Sequence, residues 1–326
     1  MKSFFEWEMG LHGKVEEVNE TLLRNIYTAQ DELYRMSKYV IEAGGKRFRP
    51  LLTILAYEIS TSEPYSNILD LAAGYELIHT ASLIHDDIID NATVRRGLPT
   101  LNHVDGESNA IVVGDYLFAK AYELGSRYGP TVSKIMADAS SNLAEGQILE
   151  ATNLGNLDLQ EDIYLEIISN KTAKFFGACA EGATTAAKAP YEVRINLTNF
   201  AYNLGMAFQV TDDIMDIVGD QEKMGKPVLA DIGHEAITLP AIYALKHGDR
   251  DAKETLRAAL TGDNTISGDK IKTVFMETGS IDYSFRKAKS FTEKALESLG
   301  KTKKSADLDL LMELALIVID RIEEFG

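Results

Sequence analysis

A single cysteine, Cys179, excludes an intrachain disulfide and fits a reducing, cytoplasmic setting. There are only seven prolines, most of them between periodic segments, so few helices are interrupted from within. No window reaches the roughly 18 uncharged apolar residues of a membrane-spanning helix, and the longest apolar stretches, such as LLTILAY at 51–57, are of core-helix length. The first residues, MKSFFEWEMGLHGKVEE, are acidic and lack an apolar run of roughly 7–15 residues, so no secretory signal is expected. Positive charge is in deficit: 33 Lys and Arg stand against 50 Asp and Glu, a net charge of −17. Such a chain lacks the dense basic surface needed for nucleic acid and is poorly suited to electrostatic docking on anionic lipid. An anionic substrate has to be held by local cations or by metal. No internal repeat, low-complexity tract or Pro/Ser-rich linker is present.

Helical periodicity is present nearly everywhere. Leu69, Ala72, Ala73, Leu77, Thr80, Ala81 and Ile84 recur on one stripe, with Glu76 as its polar interruption; Leu308, Leu311, Leu314, Ala315, Val318 and Ile322 form another. Strand signals are scarce, so the fold class is all-α. The pattern predicts helices over about 15–43, 50–60, 66–90, 108–126, 131–152, 159–186, 191–218, 235–247, 250–260, 267–277, 281–299 and 305–325. Breakers mark the joints: Gly44-Gly45, Pro64, Gly97 to Pro99, Gly129-Pro130, Pro190, Gly225 to Pro227 and Gly262.

Two aspartate clusters end apolar helical runs. HTASLIHDDIID carries Asp86, Asp87 and Asp90, and FQVTDDIMDIVGD carries Asp212, Asp213 and Asp216. Residues four apart share a helix face, so Asp86 pairs with Asp90 and Asp212 with Asp216, with Asp87 and Asp213 on the flanks. Carboxylates one turn apart repel, and hard oxygen ligands at this spacing suit Mg2+, which takes a few carboxylates, waters and substrate phosphates. A solvated acidic face is the plain alternative for one such motif. Two of them, each closing an apolar helix, point instead to a cage for divalent metal and a polyanion if they face each other across a bundle. Cations stand beside loop signals nearby: Lys46, Arg47 and Arg49 in GGKRFRP, Arg95 and Arg96 in VRRGLP, Lys171 in SNKTAKFFG and Lys226 in MGKP.

In this company the chain resembles the trans-isoprenyl diphosphate synthases, or polyprenyl synthetases. The match runs in order through GGKRFRP, ELIHTASLIHDDIID, RRG, VGDYLFAKA, EGQILE, NKTAKFF, GMAFQVTDDIMD, GKPVLADI and TLP, and more weakly through TGSIDYSFRKA, covering roughly residues 40–325. The resemblance implies one all-α domain over 1–326 around a deep central cavity, a homodimer, and three Mg2+ ions per active site. It also implies a reaction, in which an allylic diphosphate ionises and the double bond of isopentenyl diphosphate attacks the cation. Loss of a proton then leaves a product five carbons longer.

Carried over by position, the metal set is Asp86, Asp87, Asp90, Asp212, Asp213 and Asp216, with Asp86, Asp90 and Asp212 as direct ligands. Lys46, Arg49, His79 and Arg96 should hold isopentenyl diphosphate, and Arg95, Lys171 and Lys226 the allylic diphosphate. Thr172 and Gln209 should direct oxygen dipoles at the carbocation. His79 also has a plain reading as a hydrogen-bonded core histidine, and His85 is expected to be structural. Where the family shows a Gly-Lys pair before TLP, this chain has Glu235 and Ala236, so one diphosphate-contacting lysine is missing.

The growing tail is expected to run along the helix of the first cluster, where one turn of about 5.4 Å approximates one isoprene unit. The turn below Asp86 offers only Ala81 and Ser82, the next Leu77 and Ile78, and below that come Gly74 and Tyr75. The expected product is therefore longer than four isoprene units, about five to seven, with Tyr75 as a candidate floor. Transient membrane contact on product release is left open. The rival readings are a class I terpene cyclase and a subunit that only shapes product length in a heteromer. A full DDIMD and the GGKRFRP loop speak against the first, and six retained aspartates against the second.

Overall fold

The computed structural model describes residues 7, 10–219, 229, 232, 236–263, 265–300 and 302–325, with side chains to residue 320. Among them helix dominates, and the chain is all-α apart from one two-residue-per-strand hairpin. The chain divides into two compact units. The first comprises residues 1–141, 176–201 and 298–314; the second comprises 142–175, 202–297 and 315–326.

The first unit is built on α1 (His12–Asn25), α2 (Asp31–Glu42), α3 (Phe48–Ser60), α4 (Leu69–Ile89), the short α5 (Leu101–Asp105) and α6 (Glu107–Ser126). The expected helix over 15–43 is two helices. Gln30 ends the link between them by accepting a hydrogen bond from the Leu33 N–H at 2.7 Å, a side-chain cap with no Gly or Pro to announce it. α4 is apolar nearly all round, with Leu71, Ala72, Leu77 and Ile78 fully buried, as a helix at the centre of a bundle must be. α6 packs closely along it because Gly74 and Gly114 lie at the crossing: a Cβ on Gly114 would collide with the His85 ring. His85, its ring tilted at 39° to that of Phe118 with centroids 5.8 Å apart, is thus a packing residue of this crossing.

α4 ends in a Schellman turn. Asn91 takes the left-handed conformation (φ 51°), its N–H donates to Ile88 O at 3.2 Å, and Ala92 N–H donates to Asp87 O at 2.9 Å. The chain then forms an antiparallel hairpin of β1 (Val94–Arg95) and β2 (Leu98–Pro99), which periodicity did not reveal. Its turn residues, Arg96 and Gly97, both have positive φ (54° and 76°), the requirement of a turn that matches strand twist.

The second unit takes the end of α7 (Pro130–Ala151), α8 (Glu161–Ile168), the start of α9 (Lys174–Ala186) and residues 202–218 of α10 (Tyr191–Val218). It continues through α11 (Leu239–His247), α12 (Arg250–Leu260), α13 (Gly268–Glu277), most of α14 (Ser280–Ser298) and the end of α15 (Ala306–Phe325). Its core gathers Ile214, Ile217, Leu239, Leu256 and Phe275. The expected helix over 159–186 carries a π-turn at Ser169–Ala173 between α8 and α9. Such turns widen the backbone and recur at functional positions.

Candidate active site

In the first unit, α4 presents the first aspartate cluster in its last turn. Asp86 is partly exposed, Asp90 is the exposed C-cap residue, and Asp87 is buried. Asp87 accepts from Arg95 Nε at 2.6 Å, and burial pushes its carboxyl above the usual range against the opposing pull of Arg95. The loop before α3 meets the hairpin at a glycine. A Cβ on Gly45 would lie 2.7 Å from Arg96 Nη1 and 2.9 Å from its Cζ, so the bare backbone is what lets the guanidinium lie against the loop.

Arg47 does something different from its neighbours in sequence. It is buried in a left-handed conformation (φ 48°). Its guanidinium donates to Glu76 Oε1 at 2.8 Å, Asn19 Oδ1 at 2.8 Å and Ile41 O at 2.9 Å. It holds the loop rather than a substrate. Glu76, the polar interruption of the apolar stripe, is its buried counter-ion. Lys46 is exposed on the loop, and Arg49, on the first turn of α3, lies 5.1 Å from the centre of the Phe176 ring. Burial, reinforced by Arg49, Arg96, Arg95 and Arg47, holds the His79 imidazole well below its ordinary range. The structure therefore brings Arg49, His79, Arg95 and Arg96 into one electrostatic neighbourhood, with Glu76 and Asp87 as its counter-charges. His79 is neutral there and can donate or accept without adding charge.

Below the cluster, Ile78 and Ala81 are fully buried, and Ser82 Oγ donates to His79 O at 2.9 Å. Tyr75 is fully buried; its hydroxyl donates to Ala178 O at 2.6 Å and occupies the space a side chain at Gly182 would need.

In the second unit the π-turn carries Lys171 and Thr172. Gly146 of α7 permits the close approach, since a Cβ there would lie 2.8 Å from Lys171 Cγ and 2.9 Å from Lys171 N. Lys171 Nζ forms an ion pair with Glu150, one turn further along α7. The last turns of α10 carry Asp212, partly exposed, with Asp213 and Asp216 buried. Thr172 Oγ1 donates to Gln209 Oε1 at 2.9 Å, and Gln209 Nε2 donates to Asp213 Oδ1 at 3.0 Å. Tyr164 of α8 donates to Asp213 Oδ2 at 2.5 Å. Burial pushes the Asp213 carboxyl up to about 7, against these two donors. Tyr164 and Glu150 escaped the sequence reading: nothing in a lone Tyr of EDIYLEII or the last residue of EGQILE distinguishes it from ordinary helix surface.

Lys226 and Glu235 lie outside the described residues; Ala236 is described, as irregular chain before α11. Among the described residues no three Asp, Glu, His or Cys side chains form a ready-made metal site. Asp86 and Asp90 at the end of α4 are hard oxygen donors, and so, in the second unit, is the partly exposed Asp212. Donors of this kind suit an ion such as Mg2+ that draws most of its shell from water and substrate oxygens.

Residues 30–278 match the polyprenyl synthetase family model. The chain belongs to that family. The synthetase is thus a prenyltransferase, the activity of its relatives. It is 34% identical, over 88% of its length and 89% of the relative's, to an all-trans-nonaprenyl-diphosphate synthase (geranyl-diphosphate specific) of Rhodobacter capsulatus. It is also 37% identical, over 83% of both chains, to a short chain isoprenyl diphosphate synthase of Methanocaldococcus jannaschii. In structure it is similar to a polyprenyl synthase of Caulobacter crescentus complexed with calcium and isoprenyl diphosphate, at 29% identity and a TM-score of 0.91 over 98% of both chains. No helix among the described residues is long and apolar enough to cross a membrane.

Proposed function

We propose that this synthetase catalyses the Mg2+-dependent head-to-tail condensation of isopentenyl diphosphate with an allylic prenyl diphosphate, and that it works as a cytoplasmic homodimer. The all-trans product is longer than four isoprene units, about five to seven, on the one-turn-per-unit argument along α4. The observation that carries the reading is the neighbourhood of Arg49, Arg95 and Arg96 around a neutral His79, about two turns from Asp86 and three from Asp90. That arrangement gives a diphosphate fixed cations and an imidazole hydrogen bond beside a pair of carboxylates suited to a hard cation.

Lys46, Arg49, His79 and Arg96 hold isopentenyl diphosphate. Arg95, Lys171 and Lys226 hold the allylic diphosphate, Lys171 exchanging its bond to Glu150 for one to phosphate. Asp86, Asp90 and Asp212 bind Mg2+, with Asp87, Asp213 and Asp216 orienting them. When bound, the metal supplies Lewis-acid stabilisation of the departing diphosphate. Breaking the allylic C–O bond leaves diphosphate and an allylic cation, at which Thr172 and Gln209 direct oxygen dipoles. The double bond of isopentenyl diphosphate then attacks, and a proton passes to the released diphosphate. The apolar wall of α4, through Ala81, Ser82, Ile78 and Tyr75, lines the tail and keeps water from the cation.

The test is mass spectrometry of products from the purified chain with farnesyl diphosphate, excess isopentenyl diphosphate and Mg2+, with an EDTA control. An EDTA-sensitive series ending at five or more units is expected. A folded chain that elongates nothing would favour the product-length subunit of a heteromer, and a cyclic hydrocarbon from farnesyl diphosphate alone would favour a terpene cyclase.

A further inference from the structure

Four side chains of the second unit form one hydrogen-bonded chain that runs in one direction. Both Asp213 oxygens accept, Oδ2 from the Tyr164 hydroxyl and Oδ1 from Gln209 Nε2, 3.0 Å away. The amide oxygen then faces Thr172, whose hydroxyl can reach it only as a donor, at 2.9 Å. The Thr172 proton is thereby committed, and its oxygen lone pairs are what the side chain presents elsewhere. The other end of the chain is Tyr164, 3% exposed, whose hydroxyl donates to Asp213 Oδ2 at 2.5 Å. With one donor on each oxygen, the Asp213 carboxylate cannot rotate about its Cβ–Cγ bond without losing both. Tyr164 itself is held in the apolar core beside Ile168, Val210 and Ile214. Its position is set by packing, independently of any ligand.

We propose that Tyr164 is a positioning residue for the condensation: through Asp213 and Gln209 it fixes the polarity of the Thr172 hydroxyl so that an oxygen lone pair, not a proton, faces the developing allylic cation. The inference rests on the prenyl-transfer reading above and adds to it a residue with no place in either aspartate motif. Without the Tyr164 hydroxyl, the Asp213 carboxylate gains a rotational freedom. Gln209 loses the constraint on its amide, and a flipped amide would place an N–H donor against Thr172. The threonine would then accept, and point its own proton at a cation.

The experiment is a double-mutant cycle in steady-state kinetics, with Tyr164→Phe, Thr172→Ala and Thr172→Ser. Tyr164→Phe keeps the ring and the core packing. A fall in kcat of about tenfold or more is expected, with KM for both diphosphates and the half-saturating Mg2+ concentration unchanged. In a Thr172→Ala background the same substitution should change kcat by less than about twofold, because no hydroxyl remains to orient. In a Thr172→Ser background, which keeps the hydroxyl, the full effect should return. A merely structural tyrosine would lower kcat in all three backgrounds alike, and that additivity would overturn the proposal. So would an unchanged kcat in Tyr164→Phe, or a raised Mg2+ requirement, which would place its effect on metal binding. Should Tyr164→Phe not fold, Tyr164→Met removes the same hydroxyl with an apolar side chain at this core position and must give the same pattern against Thr172. Absence of elongation by the wild-type chain in the same assay would sink the prenyl-transfer reading itself, a result separate from any of these.

Discussion

Replacing Gly45 by alanine should damage substrate binding through a residue 51 positions away. The added Cβ would lie 2.7 Å from Arg96 Nη1 and 2.9 Å from both Cζ and Nη2, closer than real Cβ contacts allow. The guanidinium is the far end of a flexible side chain, so it will move rather than the loop. Gly45 also sits at φ +144°, where an L-residue is strained by about 1–3 kcal/mol. Two effects are therefore superimposed, and Gly44→Ala separates them. Gly44 has φ +79°, so alanine there is strained as well, but nothing lies within 4 Å of its would-be Cβ. Both variants should lose thermal stability. Only Gly45→Ala should displace Arg96 from isopentenyl diphosphate. A charge-assisted hydrogen bond is worth about 1.5–3 kcal/mol, which corresponds to a rise in KM for that substrate of about 10- to 100-fold. The assay is initial-rate release of diphosphate with each substrate varied in turn. Equal KM values for isopentenyl diphosphate in Gly45→Ala, Gly44→Ala and wild type, all folded, would refute the placement of Arg96 in that subsite.

Two further outcomes follow from the same unit. His79 is held well below its ordinary range, so the unfolded chain takes up a proton there that the folded chain resists. Stability is intact above about 6.5 and declines as pH falls below that value; His79→Gln should flatten this limb of a pH-dependent melting curve, and an unchanged limb would assign it to other groups. Ala81→Phe places a ring on a fully buried position of α4, so its overpacking should lower stability by about 1–3 kcal/mol. Its product should be truncated to four isoprene units or fewer, read by mass spectrometry, and a product of wild-type length would show that this turn does not line the tail.

Periodicity was a sufficient guide to the helices because burial on one face is a property of local spacing. α4 and α6 follow from their apolar stripes, and Gly44-Gly45 and Pro64 mark real joints. The features that escaped are those decided by partners distant in sequence or by one backbone angle. The break before Asp31 depends on the Gln30 cap. The hairpin depends on Arg96 accepting positive φ, and the π-turn at Ser169–Ala173 leaves the apolar rhythm of its helix undisturbed. The same division runs through the site. Aspartates and arginines are conspicuous by type, but type alone could not separate Arg47, spent on Glu76, from Arg49, nor Arg95, bonded to Asp87, from Arg96, which lies on Gly45. Tyr164 and Glu150 gain their meaning only through Asp213 and Lys171, 49 and 21 residues away.

The first aspartate cluster occupies the position where a helix tolerates it least. The C-terminal turn of α4 is the negative end of the helix dipole, and an exposed carboxylate there is unfavourable by about 0.3–1 kcal/mol. Asp86 and Asp90, four apart, add like-charge repulsion of about 0.2–0.5 kcal/mol. The structure places Asp90 at the C-cap itself, with its backbone N–H donating to Asp86 O at 2.8 Å, so the second acidic residue closes the last turn. In a chain that already carries 17 excess negative charges, a bound cation in the working state would relieve both costs. Asp90→Asn removes one charge and leaves a residue suited to a helix end. Without metal it should therefore stabilise the chain by about 0.5–1.5 kcal/mol, a gain of a few degrees in melting temperature, while its rate of elongation falls and its Mg2+ requirement rises. Calorimetry in EDTA reads the first effect and initial rates against Mg2+ concentration read the second. The two must appear together. A variant that loses activity while also becoming less stable in EDTA would mean that Asp90 supports the Schellman turn rather than a metal, and the acidic end of α4 would then need a structural explanation.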